Sequence, residues 1–340
     1  MSGFNDIIGQ ERSIQILTTF LKKGNIPHAM LLTGIEGVGK RTAAMVFAMA
    51  CNCTVIRDNG FEFAENPCEA CSACNKIRSG IHPDIIHIQA SGNFIRIDQI
   101  RSLWHTLSMK PYEARMRVVI ISNAQVLNPE AGNALLKALE EPPARTIFIL
   151  TALQTSDLLP TIVSRCRHIR FQPLPPEDLV GILTEKKHLE PEHADVIAAM
   201  AGGSVSNALA MADSDWLVHR NWLIREVEAL PERPLNLLMA FAVKLAENKK
   251  QLVNNLDIIK SWLRDLMVFK YSPDTVFNRD LMEKIRMCST RFSDGLLISN
   301  IEAIEAVRKS MTSNANVRLA LDNLVLHLAG YGVEPGRPGV

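Results

Sequence analysis

The chain has 340 residues, too many for one ordinary core, so two or three domains are expected. Apolar residues make up 47% of it, enough for packed interiors, yet no run of about 18 or more occurs, which argues against a membrane span. The 37 basic and 36 acidic residues nearly cancel, so any nucleic-acid contact must come from a local patch.

The first residues, Met1-Ser2-Gly3-Phe4-Asn5-Asp6, lack a basic region followed by an apolar stretch, so export is not expected and the cytoplasm is the expected location. A β-rich run at Met30–Thr33 leads into Gly34-Ile35-Glu36-Gly37-Val38-Gly39-Lys40-Arg41-Thr42 and then a helical stretch. This is G-x-x-x-x-G-K in its proper context. Glycines free backbone N–H groups to cradle phosphates, and the lysine reaches the terminal ones. Gly34, Glu36, Gly37, Val38, Gly39, Lys40, Arg41 and Thr42 are therefore expected to hold ATP or ADP. One departure stands out. The residue after the lysine should be Ser or Thr to ligate Mg²⁺, and here it is Arg41, with Thr42 one place late, so Mg²⁺ is not expected.

Seven cysteines are present, five of them between positions 51 and 74, a cluster that favours metal over disulfides. Cys68, Cys71 and Cys74 follow one another at two-residue spacing. With a fourth thiolate upstream they would close a tetrahedral, structural Zn²⁺ site. Cys53 and Cys51 compete for that fourth place. A zinc deaminase also uses Pro-Cys-x-x-Cys but needs His-x-Glu upstream, which this chain lacks.

Further runs at Ile85–Ile88, Val118–Ser122 and Ile147–Thr151 read as buried strands alternating with helices, the pattern of a mainly parallel α/β sheet. The second of them runs into Ser122-Asn123-Ala124-Gln125, where a phosphate-loop ATPase needs an acidic pair for Mg²⁺ and water. No carboxylate is there, and Asp84 stands at the wrong end of its strand. A poor ATPase is expected. Pro129–Glu141 reads as a helix, capped by Asn128 and stopped by Pro142-Pro143. Lys110, Arg115, Arg117 and Lys137 are candidates for a DNA-facing patch or a merely solvated face. Cys166 lacks a Cys-His motif and reads as a small apolar residue. Prolines 173, 175 and 176 mark a boundary, and helices alone follow. The expected division is an α/β domain over 1–172 with the cysteine module at 51–74, a small helical domain over 173–213, a helical bundle over 214–330 and a disordered tail over 331–340.

Phe4-Asn5-Asp6-Ile7-Ile8-Gly9-Gln10, Pro27-His28-Ala29, the phosphate loop, Asn133-Ala134-Leu135-Leu136-Lys137-Ala138-Leu139-Glu140-Glu141-Pro142-Pro143 and Ser164-Arg165-Cys166 occur in that order. Together they resemble the bacterial clamp-loader AAA+ family, with its delta-prime and gamma/tau branches. That resemblance implies an AAA+ domain, a helical lid and an all-α collar, with Asn316-Val317-Arg318-Leu319-Ala320-Leu321 in the collar. It implies gamma/tau and delta subunits as partners in a hetero-oligomeric ring that loads a sliding clamp on primed DNA. Three departures favour the delta-prime branch: Ser122-Asn123 stands where gamma/tau carries Asp-Glu, Arg41 where it carries Thr, and Ser206 where the lid holds a phosphate-sensing arginine. Arg165 survives; in the family it reaches a neighbour's ATP site as an arginine finger. Asn52-Cys53 reproduces the family's Asn-Cys and so favours Cys53 over Cys51 as zinc ligand. The competing readings are a working ATPase with altered metal ligation and an AAA+ adaptor that never meets DNA.

Overall fold

The computed structural model describes residues 3–55, 63–213, 215–247, 249–312 and 316–331; the expected tail lies outside them except for Tyr331. In chain order, α1 (Glu11–Lys23), β1 (Ala29–Thr33), α2 (Lys40–Asn52), α3 (Ser72–Arg78), β2 (Ile85–Ile88), α4 (Ile97–Leu107), β3 (Arg117–Ile121), α5 (Pro129–Glu140), β4 (Thr146–Ala152), α6 (Pro160–Val163) and β5 (Arg167–Arg170) build the first part. Every strand pairing is parallel, in the order β2-β3-β4-β1-β5. The register sets Leu31 opposite both Leu150 and His168.

β1, β3 and β4 are buried along their whole length, which is why they read as continuous apolar runs rather than alternating ones. Successive side chains still point to opposite faces. Met30, Leu32, Val118, Ile120, Ile147 and Ile149 share a core with Leu17, Leu21 and Phe47 of α1 and α2. Ala29, Leu31, Val119, Ile121, Phe148 and Leu150 pack with Ile100, Leu103, Leu135 and Leu139 of α4 and α5. The result is a parallel sheet covered by helices on both sides.

Two features match the sequence reading closely. The Asn128 side chain accepts the N–H of Ala131 at 2.9 Å, capping α5 with Pro129 in its first turn. Asp84 does sit at the amino end of its strand. It accepts the backbone N–H groups of Tyr112, Glu113 and Ala114 at 2.9, 2.8 and 2.9 Å and pairs with Arg117 at 3.5 Å. β5 is the strand that the sequence reading leaves out. Only Ile169 of Arg167-His168-Ile169-Arg170 is buried; the other three residues of this edge strand are polar and exposed. It has no apolar run to read.

Then follow α7 (Pro176–Lys187), α8 (Pro191–Met200), α9 (Val205–Ala212), α10 (Trp216–Ala229), α11 (Leu235–Ala246), α12 (Lys249–Val268), α13 (Met282–Ser289), α14 (Asp294–Thr312) and α15 (Val317–Leu328). The chain divides into two compact units: Met1–Leu179 with Gly202–Asn207, and Val180–Ala201 with Ala208–Val340. In the second, α12 packs on α10, α11, α13 and α14, and α15 on α11 and α14. Leu256, Ile259, Trp262, Leu297, Ile304, Leu321 and Leu324 are buried within it. Asp265, itself fully buried, accepts the N–H groups of Phe277 and Asn278 at 3.0 and 2.8 Å and so pins the loop after α12.

Candidate functional site

All five strands are parallel, so their carboxyl ends lie along one edge of the sheet, where α/β folds collect ligands. β1 ends at Thr33 and the chain turns at Gly34 with φ 145°; a Cβ there would lie 2.5 Å from the Phe171 carbonyl oxygen. Gly37, φ 80°, is equally constrained, since a Cβ would lie 2.1 Å from Ser204 Oγ. Ser206 N–H donates to the Gly37 carbonyl at 3.2 Å, so the segment 204–206 lies directly on the loop. α2 begins at Lys40, and its first N–H groups, without partners inside the helix, form the positive end of the helix dipole. Lys40 is buried and donates to the carbonyls of Gly34 and of Ile35, the latter at 2.8 Å. Burial lowers its pKa, with Glu36 opposing the shift. A cavity of about 1160 Å³ opens over this loop. Among its lining residues are Glu36, Lys40, Arg41, Thr42, Ser122 and Asn123. The loop thus has the conformation, the donors and the room for a nucleotide's phosphates.

The end of β3 is a different matter. Ser122 N–H donates to the Ile88 carbonyl at 2.9 Å, and Asn123, in the left-handed region at φ 56°, donates its N–H to Thr151 Oγ1 at 3.0 Å. Ser122 Oγ is buried without a hydrogen-bond partner among the described residues. Among the residues lining the cavity the one carboxylate is Glu36, on the loop itself, and the position after Lys40 carries a guanidinium. Divalent metals of this kind take hard oxygen ligands, usually with carboxylates. The residues present do not fit Mg²⁺.

The cysteine module starts where α2 ends. Asn52 is buried and clamps Met116: its amide donates to the Met116 carbonyl at 2.9 Å and its oxygen accepts the Met116 N–H at 3.1 Å. Cys53 follows in extended backbone. The ligand atoms of Cys53, Cys68, Cys71 and Cys74 all lie within 4.8 Å of one another. Tetrahedral Zn²⁺ with sulfur at about 2.3 Å needs sulfurs roughly 4 Å apart, so the four fit that ion. Each knuckle is bonded to sulfur by the backbone. Cys68 N–H reaches Cys53 Sγ at 3.4 Å, Cys71 N–H reaches Cys68 Sγ at 3.4 Å, and Cys74 N–H reaches Cys71 Sγ at 3.5 Å. Such donors hold and stabilise thiolates. At Cys71, burial pushes the thiol up but is outweighed by hydrogen bonds from Thr54 and Cys74, which bring it down to about 6. Cys51 stands apart in the core, fully buried, with its pKa raised by that burial.

Arg165 lies just after α6. Its Nη2 meets Glu140 Oε1, at the end of α5, at 2.6 Å, and its Nη1 donates to the Thr161 carbonyl at 3.0 Å. The side chain is 35% exposed and is not among the residues lining the phosphate-loop cavity. Burial pushes the neighbouring Cys166 thiol up to about 12, which removes it as a nucleophile at neutral pH.

A family model described as DNA polymerase III, delta subunit, matches residues 9–175, and one described as its C terminal matches residues 214–330. The DNA polymerase III subunit delta' of Bacillus subtilis is 30% identical over 324 residues, which cover 94% of this chain and 96% of that protein. The chain belongs to the delta-prime and gamma/tau family of DNA polymerase III clamp-loader subunits. The tau subunit of B. subtilis is 28% identical over 311 residues, 84% of this chain but 53% of tau, so the chain spans about half of that relative. A gamma subunit-related protein of Thermotoga maritima covers 94% of the chain at 18% identity with a TM-score of 0.47, too loose a likeness to bear on function.

Within that family frame, several polar lining residues escaped the sequence reading. Thr151 at the end of β4, His87 in β2 and Arg78 at the end of α3 all face the cavity. Thr151 was legible only as the last residue of an expected strand; the other two needed the sheet order and the α2–α3 packing. Arg117 is a correction. It is only 3% exposed, paired with Asp84 and bonded to the carbonyls of Thr106 and Met109 at 3.1 and 2.9 Å, so it cannot face DNA. Arg115 lies over the Phe63 ring at 5.6 Å and Lys137 over the Trp104 ring at 5.6 Å, each with part of its surface committed to packing.

Proposed function

We propose that the chain is a delta-prime-type subunit that holds a clamp-loader ring together with gamma/tau and delta subunits. In this reading it helps place the sliding clamp on primed DNA, in the cytoplasm, and lends Arg165 to a neighbour's ATP site while hydrolysing little ATP itself. The observation that carries it is the pairing of a well-formed phosphate loop with a β3 end that offers Ser122 and Asn123 in place of carboxylates. Such a site can bind a nucleotide but has nothing to anchor the metal or polarise the water. Arg165 supports the second half, because it is half-exposed on a short turn and away from its own chain's cavity. Glu140 and Thr161 hold the guanidinium in place, and its outward part is left to a partner. Residues 173–213 would serve as the lid and 214–330 as the collar. Cys53, Cys68, Cys71 and Cys74 would hold a structural zinc, which in a closed four-thiolate site supplies folding energy and no chemistry.

The test is Arg165→Ala in the reconstituted complex. Assembly should be unchanged, because the side chain is not part of a core. DNA- and clamp-stimulated hydrolysis at the adjacent site should fall steeply; such fingers are worth roughly 10³–10⁵ in rate where one site is read alone. Arg165→Lys should fail too, since a point charge does not reproduce the planar fork. A mutant complex that assembles and loads clamps at the unmutated rate leaves only an architectural role.

A further inference from the structure

The cavity over the phosphate loop has an unusual charge balance for a nucleotide site. Lys40, Arg41 and Arg78 line it against the single carboxylate of Glu36. Arg41 is the second residue of α2, in the place where a metal-ligating hydroxyl would stand, and its side chain is exposed to the cavity. Arg78 arrives from a different direction. It ends α3, the helix of the cysteine module, and Asn75 Oδ1 accepts from its Nη2 at 2.7 Å, which orients the guanidinium. Two further atoms, Ser122 Oγ and His87 Nδ1, belong to lining residues and are buried without a hydrogen-bond partner among the described residues. Neither residue supplies the negative charge that a hard divalent cation favours.

Resting on the nucleotide reading above, we propose that this cavity binds a nucleoside di- or triphosphate as the metal-free anion, with the guanidinium groups of Arg41 and Arg78 neutralising the charge that Mg²⁺ neutralises elsewhere. The physical basis is substitution of one cation by another. A guanidinium presents a planar fork of donors that binds phosphate oxygens in pairs, and it is permanently charged. A divalent ion entering beside Arg41 would meet a like charge and no anionic ligand at the β3 end. Metal would therefore be excluded rather than merely unneeded. Magnesium in solution would also compete, because it masks the phosphate charge that the arginines recognise. The subunit would then hold its nucleotide as a fixed part of the fold, without the metal on which turnover depends.

The full-length protein can be titrated with mant-ATP and mant-ADP, as sodium salts, in resin-treated magnesium-free buffer and again in excess magnesium. Soluble chelators are avoided because they would also draw on the cysteine module. The expected result is a Kd without magnesium that is equal to or lower than that with magnesium, and displacement of the probe by inorganic tripolyphosphate. Tightening by magnesium overturns the inference and leaves the nucleotide reading standing. Absence of binding under both conditions overturns the nucleotide reading and the inference with it. Probe that binds but resists tripolyphosphate overturns recognition through the phosphate chain. Arg41→Thr, an exposed position whose thermal melt should not move, is expected to lose about tenfold in metal-free affinity and to become magnesium-dependent. Unchanged metal-free affinity in Arg41→Thr and in Arg78→Ala would overturn the role given to the two arginines.

Discussion

Asp84 shows how much one side chain can hold. It is 2% exposed, yet it accepts three consecutive backbone N–H groups and faces an equally buried Arg117. Burial alone would raise its pKa; the N–H groups of Glu113, Ala114 and Tyr112 and the charge of Arg117 outweigh it and depress it. A carboxylate depressed in the folded state contributes stability that is fully present above its unfolded value of about 4 and is lost as pH falls through the folded value. Asp84→Asn leaves Arg117 buried without a counter-charge and should cost about 3–5 kcal/mol, the usual penalty for breaking such a pair from one side. Urea unfolding at neutral pH measures the cost, and repeating it down to acid pH should show a shallower loss in the mutant. A neutral-pH cost below about 1 kcal/mol, the range of an exposed pair, would mean that the site is solvated in solution.

At the scale of elements, the described part of the cysteine module has little apolar support. Residues 63–78 include one short helix, and the buried apolar residues among them are Phe63, Pro67, Cys74 and Ile77. A closed zinc site would supply the missing order, as in small metal-dependent folds. Purified in reducing, chelator-free buffer, the protein should carry about one zinc per chain by elemental analysis. Cys71→Ser should lose that metal, and amide exchange should then rise across α3 while the core helices α12 and α14 keep their protection. Full zinc content in Cys71→Ser would show that the four sulfurs do not form the site. The same scale explains what the sequence revealed about strands and what it concealed. β1, β3 and β4 announce themselves because both of their faces are covered. β5 does not, because it offers only one apolar residue and its place is set by pairing with β1.

At the scale of the whole molecule, the proposed division of catalytic work among subunits makes a direct prediction. ATP hydrolysis by the isolated chain should be close to background, because Ser122, Asn123 and Arg41 occupy the places of the metal and water ligands. Installing the acidic pair with Ser122→Asp and Asn123→Glu should not restore full turnover, since Arg41 still crowds the metal position. A phosphate-release assay reads both proteins. Turnover by the unmodified chain within the ordinary enzyme range, about 1–10³ per second, would overturn the shared-labour reading.

The sequence by itself determined whatever depends on a short stretch of backbone. The phosphate loop, the Asn128 cap, the Cys-x-x-Cys spacing and the buried central strands are all written within a dozen residues, because turns, caps and strand burial impose local residue types. The absence of carboxylates after β3 was legible for the same reason. Only the tertiary structure decided which side chains meet. Arg117 looked like a surface cation until Asp84, 33 positions away in the chain, proved to be its buried partner. Cys51 and Cys53, two residues apart, are both buried but go to different fates because α2 ends between them: only Cys53 also meets the three sulfurs from the following loop. Arg78 and His87 join the cavity through sheet order and helix packing, which no local pattern encodes. Long-range burial and charge pairing are properties of the assembled chain, and a sequence window holds only half of each pair.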